Sequence, residues 1–261
     1  MSGIPKPEIR NSKETRISKP EISDGSDFGI LSDFGILSDF GPRISDFTLW
    51  QLCDSAFPTG GFAHSAGLEA AWQHGEVKNR NELVSFAEAS LHQLGRAALP
   101  FVLATHNEPR RLDEFDRLCD AFTANHVANR ASRAQGKAFM SAVQRIFFPG
   151  KEPPSFHLPP APFHHFPCVF GGVLSLIDIP QETAARLFFF NHLRGIFAAA
   201  VRLNIVGPME AQSLQHRLST TAEDILKAGA ALTRDDIAQT SSLLDLWQGA
   251  QDRLYSRLFQ S

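Results

Sequence analysis

An all-α protein is predicted by three observations. From Asp46 onward no stretch alternates apolar and polar residues as a strand would; apolar residues recur instead at three- and four-residue spacing. Pro, Gly and capping residues close off the recurring segments. These features predict a single compact helical domain of about nine or ten helices over residues 46–261. A disordered low-complexity repeat tail over residues 1–45 is expected to precede it.

The tail carries KPEI at Lys6–Ile9 and Lys19–Ile22, then SDFGIL at Ser26–Leu31 and Ser32–Leu37, with a third copy begun at Ser38. Fewer than three six-residue turns could not bury a solenoid face. The stretch Leu49 to Trp72 then organises the chain. Two amphipathic pieces, Leu49–Phe57 and Phe62–Trp72, flank Pro58-Thr59-Gly60-Gly61. Pro58 disfavours helix at Phe57, and the glycine pair permits positive φ. His74-Gly75 reads as a helix stop, and Asn81 as the cap of a helix to about Gly95. A further helix begins at Pro100, and Asp113 opens one with Phe115, Leu118, Cys119 and Phe122 on its apolar stripe. Residues 126–148 form a long helix whose first half bears Arg130, Arg133 and Lys137 on one side. That stripe is either a solvated face or a site for an acidic partner.

Residues 149–167 form an internal loop with seven prolines and with His157, His164 and His165. Beyond it come a helix over Val169–Leu176 and a break at Asp178-Ile179-Pro180. Pro180 suits the first position of a helix to about Leu203, which is apolar around most of its circumference except at Asn191, Arg194 and Arg202. Gly207-Pro208 turns the chain into Met209–Leu218. Thr220-x-x-Glu223 and Thr233-x-x-Asp236 read as capping signals for the last helices.

Composition narrows the function. The net charge of −3 gives no basic field for nucleic acid, and the three cysteines show no CxxC spacing, which argues against a disulfide framework or structural zinc. No apolar run approaches the roughly 18 residues of a spanning helix, and no apolar leader stands at the start. A reduced, soluble, cytoplasmic protein without a membrane partner is expected. Signatures for phosphate loops, dinucleotide folds, zinc proteases and serine hydrolases are missing from the sequence. Three chemistries remain to be weighed. A hydrolase would use His64 and Ser65, and Asp54 with Glu69 would make a carboxylate pair. A stand-alone metal-binding chaperone would use His157, His164 and His165. Otherwise the polar residues of Leu49–Trp72 cap helix ends at a shaped corner.

Four collinear segments carry a resemblance. QLCDSAFPTGGFAHSAGLEAA, HFPCVFGG (His165–Gly172), AAAVRLNIVGPMEAQ (Ala198–Gln212) and DRLYSRLFQS (Asp252–Ser261) resemble motifs of the urease accessory protein F family. The resemblance implies an all-α homodimer that is not an enzyme. It implies partners too: a D/H-type accessory scaffold, the accessory GTPase G and apo-urease. Nickel would be handled by the complex and GTP bound by the partner GTPase, with no cofactor held stably by this chain. In the family the C-terminal tail makes the complex and orders on binding, which maps onto Tyr255, Ser256, Arg257, Leu258 and Phe259. Pro58, Gly60 and Gly61 transfer as the hinge of the opening motif, and His64, Ser65 and Glu69 as its polar positions. The histidine-proline loop and the repeat tail lie outside the family pattern.

Overall fold

The computed structural model describes residues 45–149 and 158–261. Residues 1–44 of the predicted repeat tail, and His157, lie outside the described residues. The rest is all-α, with ten α-helices and no strand among the described residues.

Helix α1 (Asp46–Cys53) starts where the Ser45 hydroxyl accepts the Phe47 N–H. It ends short of Phe57 because the Asp54 carboxylate accepts the Ala56 N–H at 2.9 Å, a side-chain turn that competes with the helix. The expected second piece, Phe62–Trp72, is not one helix. A 3₁₀ turn covers Gly61–Ala63, and α2 begins only at Leu68, running to Gln73. Between them Ala66 and Gly67 take positive φ, which an α-helix cannot accommodate. Helix α3 (Arg80–Gln93) is capped by Asn79 rather than Asn81: the Asn79 side chain accepts the N–H groups of Asn81 and Glu82. A π-turn over Leu94–Ala98, in which the Leu99 N–H reaches Leu94 O, feeds α4 (Leu99–Asn107). Pro100, which has no N–H to give, stands beside this irregularity.

Helices α5 (Leu112–Phe122), α6 (His126–Phe147), α7 (Phe166–Leu176) and α8 (Gln181–Arg202) build the core. Phe101, Phe115, Phe139, Phe170, Phe189 and Phe197 are its largest fully buried side chains. Phe170 of α7 is the hub, with ring centroids 5.3 Å from Phe139, 5.3 Å from Phe166 and 5.4 Å from Phe188. These offset and tilted pairs add to the apolar burial itself. Pro180 caps α8 rather than occupying its first turn. Helix α9 (Pro208–Gly229) runs unbroken through Thr220, so Thr220-x-x-Glu223 is not a cap. Thr233 and Asp236 do form a capping box, but around a 3₁₀ turn, Arg234–Asp236. Helix α10 (Ser242–Ala250) packs on α2 and α6, and a final 3₁₀ turn covers Gln251–Arg253.

The charged exceptions on α8 tie the opening corner to the core. Arg194 donates to Cys53 O at the end of α1, and Arg202 donates to Phe62 O at 2.7 Å.

Candidate docking surface at the C-terminal tail

Glu69 sits in the first turn of α2 and is 2% exposed. Two local features put it there. The Ser65 hydroxyl accepts the Glu69 N–H at 3.3 Å, satisfying one of the amides that a helix start leaves open. Gly67 has φ +88°, and a Cβ at that residue would stand 3.0 Å from the Gln248 nitrogen of α10, so the close approach of α2 to α10 requires glycine.

No cation pairs with this carboxyl group among the described residues. Instead Oε1 accepts the Leu258 N–H at 2.6 Å. Oε2 accepts the Phe259 N–H at 3.0 Å and the side-chain amide of Gln251 at 2.5 Å. Gln251 is fully buried and also donates to Phe259 O. A single acid thus gathers the C-terminal segment onto the opening motif. Two main-chain bonds extend the seam, Gln260 N to Ala63 O at 2.8 Å and Ser65 N to Ser261 O at 2.5 Å. The His64 ring nitrogen Nδ1 meets the Ser261 hydroxyl at 2.5 Å. Burial, reinforced by the positive field of Arg130, lowers the pKa of His64 and favours the neutral ring. Phe259, 4% exposed, lies under the Arg202 guanidinium at 4.2 Å; Arg202 also covers the Phe62 ring at 5.0 Å.

The five tail residues divide by role. Phe259 is the buried anchor. Ser256 O accepts the Gln73 side chain at 2.9 Å, and Arg257 donates to Asp252 at 3.2 Å. Tyr255 is fully exposed and Leu258 half so, both apolar bodies on a pinned segment. The resemblance implies a tail that orders on binding; here it already lies on the body, because Glu69 gives its amides a buried acceptor. Of the hinge residues, Pro58 follows the buried Phe57, Gly60 takes φ +71°, and the Gly61 N–H donates to Thr59 Oγ1 at 3.3 Å.

The hydrolase geometry does not form. His64 and Ser65 are not on a helix; His64 faces Ser261, while the buried Ser65 hydroxyl serves the Glu69 N–H. Asp54 is on the surface and Glu69 is buried, so they are not a carboxylate pair.

The histidine loop is also differently employed. His165 is fully buried, with Nδ1 3.1 Å from Ser132 Oγ and Nε2 3.1 Å from Asp120. Its main-chain N–H, with those of Phe163 and His164, is accepted by the buried Asp116 at 2.7–2.9 Å. Helix α6 comes close here, and a Cβ on Gly136 would collide with His164 O. Among the described residues no group of three or more His, Cys, Asp or Glu could hold a metal ion, so His164 and His165 are not brought into such a site.

Asp116, Gln251 and the second task of Arg202 are missing from the sequence reading. Asp116 left a signal, because Leu112, Asp116 and Cys119 share one side of α5. Gln251 left none.

A family model described as UreF matches residues 77–219, from just before α3 into α9. Urease accessory protein F from Oryza sativa subsp. indica is 37% identical over 224 residues, spanning 80% of this chain and 83% of the relative. The protein of the same name from Arabidopsis thaliana is 37% identical over 222 residues, with 81% and 91% covered. An uncharacterized urease accessory protein UreF-like of Schizosaccharomyces pombe is 29% identical over 222 residues, with 80% and 94% covered. With the helical architecture and these matches over most of its length, the chain belongs to the urease accessory protein F family.

Proposed function

We propose that this chain is a non-enzymatic assembly factor of urease maturation. In this reading it joins a D/H-type scaffold through its C-terminal segment. The pair then recruits the accessory GTPase G, and the assembly promotes nickel insertion into apo-urease. The chain acts in the cytoplasm as a homodimer, binds no cofactor stably, and leaves GTP to its partner. No helix among the described residues is long and apolar enough to cross a membrane.

The observation that carries the reading is the division of labour in the tail. Glu69 and Gln251 fix its main chain, and Phe259 buries its ring, while Tyr255 and Leu258 face outward on a prepared segment. Rigid aromatic and aliphatic side chains of this kind are what interface anchors consist of, and prior ordering lowers the entropy cost of docking.

The test is co-expression with urease subunits and the other accessory proteins, scored by urease activity, with the chain intact, deleted, or lacking residues 255–261. The shortened chain should keep its helical circular dichroism, fail to pull down the D/H-type scaffold, and give no more activity than the deletion. Retained pull-down would overturn the assignment of the tail.

A further inference from the structure

The first turns of α6 present a basic hollow beside the docked tail. Its volume is about 590 Å³, and Thr123, Ala124, His126, Asn129, Arg130 and Arg133 line it. Helical spacing places His126, Arg130 and Arg133 along one side. Asp252, from the turn that follows α10, pairs with two of these lining residues. Arg130 grips it with two parallel bonds, 2.8 and 3.1 Å, His126 Nε2 stands 3.3 Å away, and Arg257 adds a third bond at 3.2 Å. Asp120 lies next to the hollow, bonded to Asn129 at 2.9 Å and to His165. Arg133 lays its guanidinium over the Phe163 ring at 5.2 Å and remains exposed. A stacked guanidinium keeps its in-plane N–H donors for a planar oxyanion.

Arg130 and Arg257 therefore share the carboxylate of Asp252, from the turn just before the tail, while Arg133 stays exposed beside them on α6. Lys137, one turn beyond Arg133, prolongs the positive stripe along α6. What the lining residue Arg130 already grips is a side-chain carboxylate, presented from the 3₁₀ turn Gln251–Arg253 in the fork geometry that arginine favours.

We infer that the hollow is a docking site for an acidic peptide segment of a partner protein, with Asp252 as the internal carboxylate that the segment displaces from Arg130. The inference stands apart from the role of Tyr255 and Leu258, since the cationic groups that would bind the segment, His126, Arg130 and Arg133, lie on α6. It does couple the two surfaces. Asp252 and the Glu69-bound amides belong to one short segment, so an acidic ligand in the hollow loosens the start of the tail while Phe259 stays anchored.

Fluorescence anisotropy of a fluorescein-labelled octaglutamate peptide against the full chain tests this. Binding should weaken as salt rises, and an octalysine peptide should not bind. Asp252→Asn, which removes the internal competitor, should tighten binding about fivefold; Arg130→Ala and Arg133→Ala should each weaken it about tenfold. Arg217→Ala should leave it unchanged. Absence of binding, weaker or unaltered binding by Asp252→Asn, or indifference to Arg133→Ala would overturn the inference. Displacement of the peptide by equimolar inorganic phosphate would also overturn it, because the hollow would then be a phosphate site. Unchanged circular dichroism shows that each variant is folded.

Discussion

Two buried acids do the same chemical job in this molecule and leave opposite results. Asp116 on α5 accepts three consecutive main-chain N–H groups, those of Phe163, His164 and His165. Glu69 on α2 accepts two, from Leu258 and Phe259, and the Gln251 amide. Neither has a cationic partner among the described residues. Both turn an irregular segment into a fixed one by satisfying amides that helices and sheets would otherwise satisfy. What differs is the side chains that the fixed segment carries. The loop held by Asp116 turns His165 fully inward, onto Ser132 and Asp120, and leads into α7, the hub of the aromatic core. The tail held by Glu69 turns one ring inward and leaves Tyr255 and Leu258 outside. The same device closes a core in one place and displays a surface in the other.

Removal of each acid should separate these roles. Asp116→Ala strands three amides against the core, at about 1–3 kcal/mol for each unsatisfied group, and should cost on the order of 4 kcal/mol in urea denaturation. Glu69→Ala should cost less, about 1–2 kcal/mol, because the tail can leave the body and hydrate its own amides. Its signature should be local: faster trypsin cleavage after Arg253 and Arg257, with an unchanged cleavage pattern over α3 to α9. Equal global losses from the two variants would collapse the distinction between core closure and surface display.

How much of this was legible follows from where the information lay. The helices could be read because apolar spacing and breakers are local signals, and α6 to α8 fall close to their expected spans. The corner departs in part from its expected form: Phe62–Trp72 has helical composition, but the positive φ at Ala66, a residue with no outward preference for it, interrupts the helix. On α5 the expected apolar stripe included Leu118, which is 39% exposed, while Asp116 is buried. A polar residue in a core position becomes intelligible only when the loop 47–49 residues further on supplies its partners. Glu69 could be marked as a motif position, but its partners lie more than 180 residues away. Pairings of that range leave no periodicity in the chain.

Acidity should drive the two segments in opposite directions. At the tail, His64 has its pKa lowered by burial and by Arg130, so the docked state binds fewer protons than the free one. Docking should therefore weaken as pH falls below about 6.5, the ordinary histidine value. At the loop, burial alone would lower His165, but the neighbouring Cys119, the hydrogen bond with Asp120 and the nearby charge of Asp116 together outweigh burial and raise it. That stabilisation is complete below about pH 6.5 and is lost as pH rises through the elevated value. Amide exchange between pH 5.5 and 8, corrected for intrinsic rates, should show protection of Phe259 rising with pH and protection of His165 falling. Parallel trends would remove either His64 or His165 from the account.

The smallest expected change in stability falls on the residues that display the surface. Tyr255 has no buried area to lose, so Tyr255→Ala should shift the denaturation free energy by less than about 0.5 kcal/mol. Arg257→Ala breaks an exposed pair with Asp252, an interaction of about 0–1 kcal/mol, and Arg217→Ala removes a charge on the surface of α9. By stability alone the three variants should be nearly indistinguishable. Capture of the D/H-type scaffold should tell them apart. Tyr255→Ala loses an aromatic anchor and should weaken capture most, at least tenfold if it is an interface hot spot. Arg257→Ala frees the segment between Asp252 and Leu258 and should weaken it less, while Arg217→Ala should bind as the unaltered chain does. If Arg217→Ala impaired capture as much as Tyr255→Ala, the partner would be reading the charge of the whole helical body, and the side chains that Glu69 holds outward would have no special claim to the interface.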